Sequence, residues 1–397
     1  MARPPWEVAD VLHRYGEQYR QAQGPLLPLS HRRVLRAIET CRTAALGGHV
    51  DACEQCGVCQ ISYNSCRNRH CPKCQSRARA RWLEARLGEL LPVEYFHVVF
   101  TLPQQIAKIG LQNKRRIYNL LFQITAETLR TIAADPKHLG AEIGFLAVLH
   151  TWGQTLTVHP HLHCIVPGGG FDRESSRWIS CRPGFFLHVR VLALLFRRRF
   201  LEALETAYRN KELQFHGTLA ELREPEAFAR WIQPTRKCKW VVYAKPPFGG
   251  PAKVLEYLGR YTHRVAISNH RIVDVADGKV TFRWRDYRHG NRKRTMTLAA
   301  GEFIRRFLLH VLPDRFMRIR HFGFLANRCR TEKIERARRL LEEDATATGR
   351  ATQDLKSGPA DPLHRLCPEC RQGKLICVEI LPPPSETVGI VEGIDSS

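Results

Sequence analysis

Three histidines at alternate positions are the residues of this chain whose spacing points most clearly to chemistry. They are His159, His161 and His163, in the run HPHLHCIV. Alternate residues of a β-strand share one face, and same-face neighbours stand about 6.5–7 Å apart, so the outer two would be about 13 Å apart. We therefore predict that His161 and His163 bind one divalent ion. Further ligand candidates are His150 and Gln154, near the preceding turn.

A pair of tyrosines is the second candidate group. Tyr257 and Tyr261 are four residues apart, a spacing that makes them neighbours on one face of a helix. Such a pair is more often a packing feature, but a phenolate beside an ion-binding histidine pair can attack a DNA phosphate and conserve the bond energy in a phosphotyrosine. The ion would polarise the phosphate. The sequence has no phosphate loop of the G-x-x-x-x-G-K-[ST] type, which agrees with a reaction that needs no ATP.

Cysteines and histidines between positions 41 and 74 form the third group. Two C-x-x-C pairs separated by 14 residues match the two knuckles of a zinc ribbon and predict one zinc ion, bound by Cys53, Cys56, Cys71 and Cys74. A second candidate zinc set is interleaved with the first and consists of Cys41, His49, Cys66 and His70. The alternative is that this second set comprises buried small residues and a surface histidine. Metal would supply folding energy that so small a segment lacks.

The charge of the chain indicates a polyanionic partner. Lys and Arg number 62 and Asp and Glu 38, which gives a net charge of +24, and nucleic acid or an acidic membrane surface would suit it. A basic surface without a partner is the plainer alternative. No apolar run approaches the roughly 18 residues of a membrane helix, and the first residues do not resemble a secretory signal. We therefore expect no membrane association and no disulfides.

Contacts with DNA are expected from basic and aromatic residues in the last third of the chain. The run RKR at 292–294 and the basic helix that follows Arg328 should bind the phosphate backbone. Bases of a single strand could stack on Trp284 and Tyr287, whose alternative role is core packing.

The elements that must position these groups follow from the hydrophobic pattern. A β-rich run over 95–103 ends at a proline, and strands over 145–152 and 155–167 are joined by a turn, so we predict that they are antiparallel. Another strand is predicted over 239–244, before a helix over about 252–263 that carries the tyrosines. These elements predict an α+β fold in which a sheet carries the histidines.

The sequence resembles the two-tyrosine rolling-circle transposases of the insertion sequence 91 family, over about residues 35–345. The run HLH at 161–163 is similar to the His-hydrophobic-His (HUH) motif of single-strand nucleases, and FTLP at 100–103 is similar to the first motif of rolling-circle initiators. Tyr257 and Tyr261 resemble the paired nucleophiles of that family. The segment from 53 to 74 resembles the zinc-binding domain that precedes its catalytic domain.

The resemblance implies a fold, an activity and a set of partners. The fold would be an HUH-type central antiparallel β-sheet flanked by helices and preceded by a small zinc-ribbon-like domain. The activity would be a metal-dependent transposase that nicks and rejoins single-stranded DNA at insertion-sequence ends through 5′-phosphotyrosine intermediates, with rolling-circle transposition as the outcome. Mg²⁺ or Mn²⁺ would occupy the HUH site and Zn²⁺ the N-terminal domain. Such a protein would work in the bacterial cytoplasm, at the nucleoid.

Five segments follow from the pattern and the resemblance together. They are a helical arm (1–36), a zinc-binding domain (37–76), an HUH catalytic domain (77–270), a basic hairpin with helices (271–345) and a largely disordered tail with a degenerate zinc knuckle around Cys367 and Cys370 (346–397). Two other readings stay open. A non-catalytic zinc-ribbon DNA-binding protein would explain the charge and the cysteines but not the histidines and tyrosines. A transposase with three catalytic carboxylates would need acids on adjacent strands, which carry almost none.

Overall fold

The computed structural model describes residues 4–245, 259, 265–348 and 366–384. The chain divides into two compact units, of which the smaller comprises 8–74 with 356–397 and the larger comprises 1–7 with 75–355. The described helices are α1 (Val8–Gln23), α2 (Leu29–Glu39), α3 (Gln75–Leu87), α4 (Gln104–Gln112), α5 (Lys114–Ala134), α6 (Val189–Arg209), α7 (Pro225–Lys237), α8 (Ala300–Leu309) and α9 (Arg330–Thr348). None of these described helices combines the length and the apolar character that crossing a bilayer requires.

The strands of the described residues form four antiparallel sheets. They are β1 (Gly48–Cys53), β2 (Cys59–Tyr63), β3 (Tyr95–Thr101), β4 (Phe145–Trp152), β5 (Val158–Pro167), β6 (Gly169–Phe171), β7 (Trp178–Ser180), β8 (Val242–Lys245), β9 (Ile272–Ala276), β10 (Lys279–Asp286), β11 (Arg292–Ala299), β12 (Ile319–Phe322) and β13 (Leu375–Leu381). The larger unit is built on a five-stranded sheet in the order β12-β4-β5-β3-β8. Flanking helices confirm the predicted mixed fold with a central antiparallel sheet.

Strand periodicity gives the five-stranded sheet two different faces. On β5, Leu162, Cys164 and Val166 enter the main hydrophobic core, which also contains apolar side chains of α5 and α6. The intervening residues, His163 and Ile165 among them, face the other side. That second face is covered in part by α3, whose Leu83 packs with a smaller cluster that includes Ile165.

The smaller unit combines an early segment of the sequence, 8–74, with a late one, 356–397. Its three-stranded sheet has the order β13-β1-β2, so the C-terminal strand β13 pairs with β1 across more than 300 residues of sequence. The prediction of a largely disordered tail therefore differs from the structure over 366–384. Most side chains of β13 are exposed, and the sequence of this segment does not reveal its distant partner strand β1.

Candidate active site and metal centres

Two adjacent strands bring three histidines together on the second face of the five-stranded sheet. His150 of β4 lies directly opposite His161 of β5, and His163 follows on the same face. One ring nitrogen of each histidine lies within 4.8 Å of the others. The structure thus brings the predicted pair together and adds His150, one of the two further ligand candidates. Gln154 is directed elsewhere, since its side-chain amide donates to the Tyr287 hydroxyl at 3.3 Å.

Hydrogen bonds orient the rings of His161 and His163. His161 Nδ1 lies 2.6 Å from the carbonyl oxygen of His159, so this nitrogen carries the proton and donates it to the carbonyl. His163 Nδ1 lies 2.7 Å from His97 Nε2. If His163 donates in that pair, both His161 and His163 offer the Nε2 lone pair to a common ion, which is the form of imidazole that binds metals. The donor set therefore fits a divalent ion, with positions left for substrate.

His97 is a functional candidate that reasoning from sequence missed. It lies on β3, is only 2% exposed, and its ring is parallel to that of His163 within 7° at a centroid distance of 5.0 Å. Its one signal in the sequence was a histidine inside the otherwise apolar run YFHVVF. The contact with His163 depends on the pairing of β3 with β5, which a single sequence does not reveal.

A second set of contacts fixes the β4–β5 connection beside the site. The ring of Trp152 stacks on that of His150 at 4.6 Å, and His310 meets the edge of Trp152 at 6.0 Å. His310 Nδ1 is 3.1 Å from the Thr151 hydroxyl, and its Nε2 is 3.1 Å from the Leu156 carbonyl oxygen. Burial lowers the pKa of His310 to about 4, so this histidine is neutral near pH 7 and holds the connection by hydrogen bonds alone.

The predicted tyrosines lie outside the described residues, but the glycine between them does not. Gly259 is buried, and a β-carbon built on it would stand 2.7 Å from Leu83 Cδ1. Leu83 packs against a hydrophobic cluster that includes Val148 and Ile165, which lie on the same face of the sheet as His163. Gly259, which lies midway between the two tyrosines in the sequence, is therefore next to α3, the helix that covers part of the histidine face.

Four cysteines of the smaller unit form a first cluster. Its members are Cys41, Cys66, Cys71 and Cys74, whose sulfurs lie within 4.8 Å of one another. Cys74 Sγ is 3.5 Å from both Cys41 Sγ and Cys66 Sγ. Tetrahedral zinc with Zn–S bonds of about 2.3 Å places sulfurs about 3.8 Å apart, whereas a disulfide would need about 2.05 Å.

The structure divides the predicted ribbon ligands Cys53, Cys56, Cys71 and Cys74 between two clusters. Cys71 and Cys74 belong to the first, while Cys53 and Cys56 lie with Cys367 and Cys370. The reason is the length of the β1–β2 hairpin. Cys53 and Cys56 lie at its turn, whereas the first cluster lies beyond its open end. Five paired residues separate the two ends by about 17 Å, so one ion cannot reach both.

The second predicted zinc set is divided as well. Cys41 and Cys66 join the first cluster, whereas His49 and His70 join neither. His49 Nε2 instead lies 3.3 Å from a carboxylate oxygen of Asp51. The backbone N–H of His70 donates to the Asn68 side-chain oxygen at 2.9 Å. Cysteine spacing identified the ligand-rich segment but not the partition of its ligands.

Only part of the predicted basic surface is open for DNA. Residues 292–294 are exposed on β11, near the turn of the β10–β11 hairpin, and Tyr287 is exposed there too. Trp284 is half-buried and donates its indole N–H to the Thr295 carbonyl. On α9, Arg330 pairs with Glu89 at 3.1 Å and Arg338 donates to the Leu90 carbonyl. Arg330 and Arg338 therefore make contacts within the protein, whereas Arg328 and Arg339 are exposed, as residues 292–294 are.

Comparison with known proteins gives consistent matches along the chain. A family model described as "Putative transposase" matches residues 144–333, and one described as "Transposase zinc-binding domain" matches residues 11–102. The chain is 60% identical over 385 residues, 96% of each chain, to "Putative transposase y4qJ" of Sinorhizobium fredii. It is 29% identical over 294 residues, 72% of this chain and 68% of the relative, to "Transposase for insertion sequence element IS801" of Pseudomonas savastanoi pv. phaseolicola. No solved structure gives a significant match.

Proposed function

The chain belongs to the insertion sequence 91 family of transposases, and on that premise we propose that it nicks and rejoins single-stranded DNA through 5′-phosphotyrosine intermediates. The substrates are the ends of the insertion sequence, and the outcome is transposition of the rolling-circle type. Its proposed place of action is DNA of the bacterial nucleoid, in the cytoplasm. The observation that carries the proposal is the convergence of His150, His161 and His163 on one face of the sheet.

The three histidines would fill only part of the coordination sphere of a divalent ion, so oxygen atoms of the DNA could supply further ligands. A bound Mn²⁺ or Mg²⁺ would polarise the scissile phosphate and offset its developing charge. Three neutral imidazoles and no carboxylate favour Mn²⁺ of the two, because Mg²⁺ prefers oxygen ligands. The cysteine clusters would hold Zn²⁺ separately, in the zinc-binding domain.

The proposed reaction conserves the energy of the phosphodiester bond. The phenolate oxygen of Tyr257 or Tyr261 attacks the phosphorus, a new P–O bond forms, and the bond from phosphorus to the 3′-oxygen breaks. The 3′-oxygen leaves and takes up a proton, so the products are a free 3′-OH and a 5′-phosphotyrosine. Attack by a 3′-OH on that phosphotyrosine reverses the step and releases the phenol. The second tyrosine can cut another strand while the first holds its 5′ end.

Two observations support this chemistry over the other readings. Gly259, two residues from each tyrosine in the sequence, lies against Leu83 on the side of the sheet that carries the histidines. The described strands of the five-stranded sheet contain no Asp or Glu, which disfavours a transposase with three catalytic carboxylates. A zinc-ribbon protein that only binds DNA would have no use for the buried histidine site.

The experiment is the capture of a covalent protein–DNA adduct. Labelled single-stranded oligonucleotides that tile the DNA flanking the gene are incubated with the protein and Mn²⁺ or Mg²⁺, then separated on a denaturing gel. We expect a slow-migrating labelled band with the wild type and none with the double variant Tyr257→Phe, Tyr261→Phe. The matched control is Tyr287→Phe, an exposed tyrosine of the hairpin, which should keep the band. An adduct that persists in the double variant would falsify the proposal, and binding without any cleavage would favour the non-catalytic alternative.

A further inference from the structure

A second cluster of four cysteines joins residues from the two ends of the smaller unit. Cys53 and Cys56 stand at the turn between β1 and β2, and Cys367 and Cys370 stand just before β13. Cys53 Sγ is 3.7 Å from Cys370 Sγ, and Cys56 Sγ is 3.6 Å from Cys367 Sγ. These distances are close to the edge of about 3.8 Å of a tetrahedral zinc–thiolate site and far from a disulfide bond.

The two C-x-x-C turns have the same backbone geometry. In the first, the N–H of Gly57 donates to the carbonyl of Cys53 at 3.0 Å, and in the second the N–H of Arg371 donates to the carbonyl of Cys367 at 2.9 Å. The donor in each is the fourth residue after the first cysteine, and each donor has a left-handed backbone, with φ of 69° and 57°. A knuckle of this kind points both of its sulfurs to one side, so the pair of knuckles encloses a common point.

The backbone around the second knuckle is fitted to its sulfurs. Gly373 donates its N–H to Cys370 Sγ at 3.4 Å. Gly373 also allows the two chain segments to approach closely, because a β-carbon there would collide with Cys53 Sγ. The N–H of Glu54 in turn donates to the carbonyl of Lys374 at 3.1 Å. Both features belong to a built site rather than to four cysteines that happen to be near each other.

We propose that Cys53, Cys56, Cys367 and Cys370 bind a second zinc ion that fastens the C-terminal strand to the zinc-binding domain. The family model of that domain covers only residues 11–102 and so includes only half of this ligand set. A fastening by metal also has a physical reason. Ile376, Val378 and Ile380 of β13 are all more than half exposed, so burial of apolar surface contributes little to holding the strand in place.

Zinc content per chain tests the proposal directly. We expect the full chain to contain two zinc ions and the double variant Cys367→Ser, Cys370→Ser to contain one. The matched control is Cys377→Ser, which removes an exposed thiol of β13 that belongs to neither cluster, and it should retain two. With Co²⁺ in place of zinc, the thiolate-to-metal charge-transfer absorption should fall by half in the double variant only. One zinc ion in the wild type, or two in the double variant, would overturn the proposal.

A cleavage experiment separates the metal from strand pairing. A protease site inserted between Thr348 and Leu366 allows the chain to be cut after folding, and the C-terminal fragment should then copurify with the rest until a chelator is added. The fragment from the double serine variant should separate without chelator. If the fragment remains bound in chelator, hydrogen bonding between β1 and β13 suffices and the zinc fastening is refuted. None of these readouts depends on DNA cleavage, so they succeed or fail independently of the proposed function.

Discussion

Replacement of His97 by leucine should weaken divalent-ion binding at the histidine site while leaving the three ligands in place. His97 does not belong to the ligand cluster; its Nε2 lies 2.7 Å from His163 Nδ1. For His163 to offer Nε2 to an ion, its Nδ1 must carry the proton and donate it, and His97 Nε2 must accept. Leucine has a similar volume but no acceptor, so the His163 ring loses the contact that sets its tautomer and its orientation.

The size of the effect follows from burial and distance. Both residues are buried, with 2% exposure for His97 and 8% for His163, so water does not readily replace the lost acceptor. A buried donor left unsatisfied costs about 1–3 kcal/mol. Loss of a partner that orients a metal-bound histidine typically reduces metal affinity about 10- to 100-fold, or about 1.4–2.7 kcal/mol. The two estimates agree, so we expect a loss of affinity in this range.

The assay is titration with Mn²⁺, with the free ion followed by electron paramagnetic resonance. The double variant His161→Ala, His163→Ala supplies the background from other sites. His97→Asn, which retains a polar acceptor near the same position, should recover part of the affinity, and His159→Ala, an exposed neighbour, should leave it unchanged. If folded His97→Leu binds Mn²⁺ as tightly as the wild type, the positioning role is refuted. Equal losses in the asparagine and leucine variants would show that packing alone is responsible.

Three further predictions follow from the structure. His150→Ala should abolish the covalent adduct while DNA binding stays, because one of three ligands is lost; an adduct at wild-type yield on a denaturing gel would contradict this. Alanine at all three positions of 292–294 should make the binding of single-stranded DNA less sensitive to salt. The plot of the logarithm of the association constant against the logarithm of the salt concentration should become less steep by about 2, as binding titrations at several salt concentrations would show. His310, whose folded pKa is about 4 against roughly 6.5 unfolded, takes up its proton more readily in the unfolded state. Stability should therefore fall by about 2 kcal/mol from pH 7 to pH 5, and urea unfolding of His310→Gln should lack this difference.

The histidines of β5 show what the sequence alone could determine. Alternation along one strand is a local property, so the shared face of His161 and His163 could be predicted from their spacing. The mixed fold with a central antiparallel sheet was implied by the resemblance to the insertion sequence 91 family, and the hydrophobic pattern agreed with it in the order of strands and helices. The zinc-rich segment was recognisable because C-x-x-C spacing is a local requirement of metal binding.

Pairing between distant segments was decided only by the tertiary structure. The register of β4 against β5 adds His150 to the site, and the register of β3 against β5 brings His97 to His163. The length of the β1–β2 hairpin separates Cys53 from Cys71, and the return of the C-terminus as β13 supplies Cys367. A single sequence contains the periodicity of each strand but not its partner, because which strands pair depends on the free energy of the whole packed sheet.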